Sequence, residues 1–218
     1  MSKTETAVKN GVEPKTRSEA GTRERVHRTV RINGLTEILF DRYPGDNDTK
    51  LKRWQNLYLA GPTGRTICLP SGNIMSFLSA QNTDSAPKRL LDSRKYKNFA
   101  QACGSFVRIG PQMIPFERDG EPIIFGKIEG KNDDGWPYDP QSGVFIRTDV
   151  ARLKDGIPNV KVRPWLPMPW ELEFTVDIWP NKILQEQQLM NVFSDGLLCL
   201  GLGTWRGSFG KAEVMFWE

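Results

Sequence analysis

Ten residues near the end of the sequence, Gly201-Leu-Gly-Thr-Trp-Arg-Gly-Ser-Phe-Gly210, hold four glycines. That density lets the backbone enter left-handed conformations and come close to a ligand with no Cβ in the way. Trp205 and Arg206 stand in the middle, a flat aromatic face beside a rigid fork of donors. The following run, Lys211-Ala-Glu-Val-Met-Phe-Trp-Glu218, has the aromatic and β-branched content of a strand. Upstream, Leu172, Phe174, Val176 and Ile178 alternate with Glu171, Glu173, Thr175 and Asp177, so Glu171 to Trp179 reads as a half-buried strand. About Lys182 to Leu200 reads as a helix leading into the glycines.

Strand, helix, glycine-rich loop and closing strand make the second half of a β-α-β-β-α-β unit. The expected fold is therefore α+β, with a ferredoxin-like, RRM-like core. An earlier half can be found for it. Val26, Arg28, Val30 and Ile32 interleave with His27, Thr29 and Arg31 as a first strand that turns at Asn33-Gly34. Leu51 to Ala60 is a short helix or strand, Gly61-Pro-Thr-Gly64 a hairpin turn, and Thr66 to Leu69 a short strand. Pro70 to Leu78 opens a helix with Ser71 or Asn73 as N-cap. Phe99 to Ile109 reads as a strand ending at Gly110-Pro111, Val144 to Arg152 as another, and Ile157 to Pro169 as an extended, proline-rich crossing.

Two segments fall outside that pattern. Residues 1–23 contain almost nothing a core could use and read as a flexible polar tail, either simply solvated or an RNA-binding arm. Residues 24–218 read as a single domain. Within it, about 116–144 is dominated by glycine, proline and acidic residues, and reads as a hairpin insertion with Trp136 or Tyr138 at its tip.

Composition bounds the function. The chain of 218 residues carries 30 basic and 26 acidic side chains, a net charge of +4, and a pI near 9.0 permits nucleic-acid binding without requiring it. Three cysteines, Cys68, Cys103 and Cys199, form no C-x-x-C pair and read as buried reduced thiols. No apolar run has the length of a membrane span, and no secretory h-region begins the sequence, so the expected compartment is the cytoplasm.

The block Gly201, Gly203, Arg206, Gly207, Gly210, Lys211, Glu213 and Val214 resembles the C-terminal signature of the RAMP superfamily of CRISPR-associated proteins. Within it the chain looks most like the Cas-seven branch. Gly34-Leu-Thr-Glu-Ile-Leu39 is similar to an element that follows the first strand there, with Glu37 where proline is frequent, and the helix opening at Pro70-Ser71 is similar too. The resemblance implies a guide-RNA-binding backbone subunit. Its implied partners are guide RNA with its paired target, copies of itself in a filament-like array, and other effector subunits, with no membrane and no cofactor. The insertion occupies the place of that branch's thumb.

Residue chemistry points to binding rather than catalysis. Arg206 and Lys211, with the amides around Gly203 and Thr204, suit phosphate. The free amides of a helix opening at Ser71 and Asn73 suit it too, and Trp205 suits base stacking. Lys52, Arg53, Lys88, Arg89, Arg94 and Lys95 form either a solvated helix face or a basic stripe along a nucleic-acid backbone. His27 is the one histidine, and no phosphate-loop or zinc motif occurs. Two alternatives stay open. One is metal-dependent cleavage of target RNA by the acidic loop of Asp41, Asp46 and Asp48. The other is an RRM-like single-strand binder or structural protein without CRISPR partners.

Overall fold

The computed structural model describes residues 24–42, 45, 51, 53–152 and 158–218. Asp46, Asp48, Lys52 and the segment 1–23 lie outside the described residues. The chain is a mixed α+β protein whose strands pair antiparallel. It begins with β1 (Val26–Gly34) and β2 (Ile38–Leu39), then a 3₁₀ turn (Arg53–Asn56), β3 (Leu59–Ala60) and β4 (Thr66–Pro70). Three helices follow, α1 (Ser71–Ser79), α2 (Ala86–Leu90) and α3 (Tyr96–Phe106), then β5 (Val107–Gly110), β6 (Met113–Arg118) and β7 (Glu121–Pro122). The remainder is β8 (Phe145–Arg152), β9 (Pro158–Leu166), β10 (Glu171–Ile178), α4 (Glu186–Cys199) and β11 (Ala212–Trp217).

The larger sheet runs β11-β1-β10-β6-β4-β3, with β5 also on β10 and β7 on β6. β5 and β6 share one flank of β10: β5 pairs with Thr175 to Ile178 and β6 with Glu171 and Leu172. A smaller sheet, β2-β9-β8, is built mainly from the long β8–β9 hairpin.

The alternation along β10 is what sets one face inward. Leu172, Phe174, Val176 and Ile178 are buried, and Val30 and Ile32 of β1 join them. Helix α4 covers this face with Leu189, Val192, Phe193 and Leu197. Phe193 meets Phe77 of α1 at 5.6 Å and Phe174 at 5.9 Å, both edge to face, a geometry favourable beyond area burial alone.

Two elements differ from their local expectation. Phe99 to Phe106 is helical within α3, and only Val107 onward is strand. Phe99, Ala100, Ala102 and Cys103 are buried, a spacing of three and four residues that suits a helix face. Alanine also favours the helix intrinsically. Ser71 and Asn73 lie inside α1, whose N-cap position is Pro70, with no side-chain cap. Ser71 N–H donates instead to the Gln112 carbonyl at 2.9 Å.

Residues 116–144 are built in pieces. Phe116 belongs to the core. β6 turns through Asp119 and Gly120, at φ 55° and 79°, into β7. Ile123 and Phe125 return to the core. Beyond them, Asn132 closes a tight turn by accepting the Trp136 N–H on its side chain at 2.8 Å. Trp136 and Tyr138 flank that turn and are half-buried. Among the thiols, Cys68 and Cys103 are buried, which raises their pKa to about 11 and about 12. Cys199 is exposed at the end of α4, contrary to the expectation of a buried thiol.

Candidate nucleic-acid interface

The glycine loop leaves α4 and folds back on itself before β11. Leu202 N–H donates to Gly210 O at 2.8 Å, and Gly210 N–H to Glu37 O at 2.8 Å. Thr204 N–H reaches Leu39 O at 3.1 Å, while Lys211 N–H donates to the Thr36 hydroxyl at 3.0 Å. The loop is therefore clipped along Thr36 to Leu39. Glycine is required by this closeness. A Cβ on Gly210, at φ 70°, would stand 2.0 Å from Leu202 O, and one on Gly203, at φ 78°, 2.7 Å from Leu39 O.

Asn73 supplies the other wall. Its side-chain oxygen accepts Gly203 N–H at 3.0 Å, and its amide donates to Gly203 O at 3.4 Å. This amide clamp joins α1 to a loop 130 residues away in sequence. Asn73 thus positions the loop rather than capping its own helix. Three separated stretches, 34–39, 70–73 and 201–214, meet here.

Arg206 is half-buried and donates to three backbone carbonyls: Gly203 at 3.4 Å, Asp84 at 3.2 Å and Asn73 at 3.4 Å. Burial lowers its pKa below the ordinary arginine value, and the Asp84 charge opposes that. The guanidinium stays charged, since arginine is not deprotonated in proteins. The Asp84 carboxylate is itself held by Arg89, whose Nε lies at 2.8 Å. Arg206, Trp205, Thr204 and Gly203 line an open hollow of about 290 Å³ with Ser76, Thr83 and Asp84. A smaller hollow of about 150 Å³ shares Gly203 and Thr204 with it and is lined by Leu39, Asn73, Tyr58 and Asp41 among others.

Trp205 is held at φ 56°, a left-handed conformation uncommon for a bulky residue. Its ring lies 6.2 Å from Phe209, which packs edge-on against Trp165 of β9 at 4.6 Å. Trp165 stacks on Phe145 of β8 at 5.9 Å and lies under the Arg147 guanidinium at 4.7 Å. The loop is thus packed through aromatics onto the β8–β9 hairpin, a link that no sequence spacing displayed.

The remaining candidate residues are spread out. Lys88 and Arg89 are exposed on α2, next to the hollow through the Arg89–Asp84 pair. Arg94 and Lys95 are exposed between α2 and α3, with Lys95 3.4 Å from Asp92. Arg53 is exposed on the 3₁₀ turn. Lys211 is half-buried beside the loop. Asp41 is ion-paired with the buried Arg163. Among the described residues, no group of three or more His, Cys, Asp or Glu could hold a metal ion. No helix among them is long and apolar enough to cross a membrane.

No protein-family profile matches the chain, and no curated protein matches it either. Among solved structures it is similar to a chain from the cryo-EM structure of the type III-B Cmr-β bound to cognate target RNA. The TM-score is 0.49, the identity is 10%, and the match covers 89% of this chain. It spans 60% of that chain's length.

Proposed function

We propose that this chain is a guide-RNA-binding backbone subunit of a CRISPR effector assembly, repeating along the RNA beside copies of itself. One observation carries the reading. The three stretches that bear the sequence resemblance, Gly34 to Leu39, the opening of α1 and the glycine loop, are hydrogen-bonded to one another through Thr36, Glu37, Leu39, Asn73 and Gly203, and the loop they hold presents Arg206 to a surface hollow. A guanidinium held only by backbone carbonyls keeps donors for a phosphate oxygen.

The strand order supports the fold side of the proposal. Taking β5 and β6 as one strand, β11-β1-β10-β5/β6 is the order fourth, first, third, second, that of a ferredoxin-like unit, here widened by β4 and β3. RNA is expected on the loop and helix edge rather than on the open sheet face. An RRM stacks bases on aromatic residues of its sheet. The outward positions of the central strands here are His27, Thr29, Arg31 and Asn33 on β1, and Glu171, Glu173, Thr175 and Asp177 on β10. Three of the four on β10 are acidic, paired with Arg31, Arg25 and His27, and none is aromatic, so β10 gives a base no ring to stack on and leaves those basic groups engaged.

The test is the nucleic acid that co-purifies with the chain when it is expressed beside a CRISPR array and its effector genes. RNA of one guide-derived length supports the proposal. Heterogeneous RNA, or none, supports an RRM-like protein without CRISPR partners. Target cleavage that requires magnesium and is lost in Asp41→Ala would instead make the subunit a nuclease.

A further inference from the structure

The hollow beside the glycine loop has a composition beyond what phosphate binding needs. Its lining has three hydroxyl residues, Ser76 of α1, Thr83 and Thr204, together with Arg206, Trp205 and Asp84, whose carboxylate charge is taken up by Arg89. Each hydroxyl is donor and acceptor at once. The loop wall is held in place by Thr204 N–H on Leu39 O and by the Asn73 clamp on Gly203. Its volume of about 290 Å³ is that of roughly ten waters, the scale of one sugar-phosphate unit with part of its base.

We infer that this hollow reads the ribose 2′-hydroxyl, so that the subunit discriminates RNA from DNA at the sugar and not through base sequence. The inference rests on the guide-RNA reading above and specifies which atoms of the ligand are recognised. A phosphodiester oxygen takes the donors that Arg206 has left after its three carbonyls. The neighbouring 2′-hydroxyl, itself donor and acceptor, exchanges hydrogen bonds with the Ser76 and Thr204 hydroxyls. The indole of Trp205 accepts the face of the adjoining base. An acidic peptide would satisfy the guanidinium but leave the hydroxyl array without a partner of matching chemistry. Deoxyribose would do the same. The 2′-hydroxyl is the group by which a protein tells the two nucleic acids apart at a given site.

The experiment uses the full chain freed of nucleic acid at high salt. Three labelled single strands of identical sequence are compared by fluorescence anisotropy: RNA, DNA and 2′-O-methyl RNA. The expected result is RNA binding about tenfold tighter than either of the others, the worth of one or two hydrogen bonds. Thr204→Val with Ser76→Ala, checked for an unchanged circular dichroism spectrum, should bring the ratio close to one by weakening RNA alone. Equal binding of the three strands by the unaltered chain, or a ratio that survives both substitutions, overturns this inference and leaves the guide-RNA reading standing. The 2′-O-methyl comparison needs no variant, so a misfolded mutant does not rescue the idea. No binding of any strand overturns both.

Discussion

Two irregular segments of this molecule are each organised around one charge, and the charges are opposite. In the stretch 126–143 it is Asp139. Its carboxylate accepts the N–H groups of Gly126 at 2.7 Å, Lys127 at 3.1 Å, Gln141 at 3.2 Å and Ser142 at 3.3 Å, and the Ser142 hydroxyl as well. In the glycine loop it is Arg206, which collects three carbonyls. The difference is saturation. Asp139 is 1% exposed and its two oxygens are filled from within the chain. Arg206 spends three of a guanidinium's five N–H groups, and it faces a hollow open to solvent. A buried charge with every site filled is architecture. One left with donors at a surface is equipped to bind.

The sharpest way to break the comparison is at Asp139. Removing the carboxylate leaves four amides of the stretch without their acceptor, so Asp139→Ala should cost about 3–5 kcal/mol in urea unfolding. RNA affinity of the protein that remains folded should not change. Burial pushes the Asp139 carboxyl up, but the Ser142 hydroxyl and the Gly126, Gln141 and Lys127 amides together bring its pKa below the ordinary aspartate value. A depressed folded pKa means that the stabilisation is fully present above the unfolded pKa of about 3.9 and is lost as pH falls through the folded value. Asp139→Asn should therefore lose the part of acid-induced destabilisation that titrates there. Stability curves of the two proteins that run parallel below pH 4 would show that Asp139 is not the organising charge.

Next in size is Gly210→Ala. The new methyl cannot fit beside Leu202 O, and the φ of 70° is unfavourable for any residue with a Cβ. A stability loss of about 1–3 kcal/mol is expected, together with loss of most RNA binding because the loop must move. Thermal melts and anisotropy report the two effects separately.

Arg206→Ala then separates holding from binding. Three long hydrogen bonds to carbonyls should make it destabilising by about 1–2 kcal/mol, more than an exposed loop arginine. The slope of log affinity against log salt should also shallow by roughly 0.7, one phosphate contact on a single strand. A stability loss with an unchanged slope would place Arg206 alongside Asp139, as architecture only. The smallest effect is expected on the open sheet face. Glu173→Ala, at a half-exposed position of β10, should stay within about 0.5 kcal/mol of the parent and leave RNA affinity unaltered. A clear rise in affinity there would mean that RNA runs over the sheet after all.

Much of this was legible from local pattern. The four alternating apolar residues of β10 identified both the strand and its buried face, because side chains alternate with a period of two. The glycine loop, the helix before it and the strand after it could be read from one contiguous stretch. Phe99 to Phe106 was misread as strand because a short apolar run does not distinguish a buried strand from a buried helix. Packing of α3 against α1 decides it. At the candidate site, Arg206, Trp205, Thr204 and Asn73 were picked out by residue type, but not the contacts that hold them in place. Asn73 was read as a helix cap because the local rule places asparagine there. Its amide is used by a glycine 130 residues on, and local sequence carries no record of that.

By itself, then, the sequence determined that β10 is a strand with one apolar face, that a helix precedes the glycine loop and a strand follows it, and where that loop needs glycine. Those properties depend on neighbours within a few residues. Tertiary structure alone decided that Thr36, Glu37, Leu39 and Asn73 are bonded to the glycine loop, and that Arg206 is tied to the carbonyls of Asn73 and Asp84. Each of these is a hydrogen bond across the fold. Such a bond becomes favourable only once burial of the common core has brought the partners together and offset the entropy of ordering them.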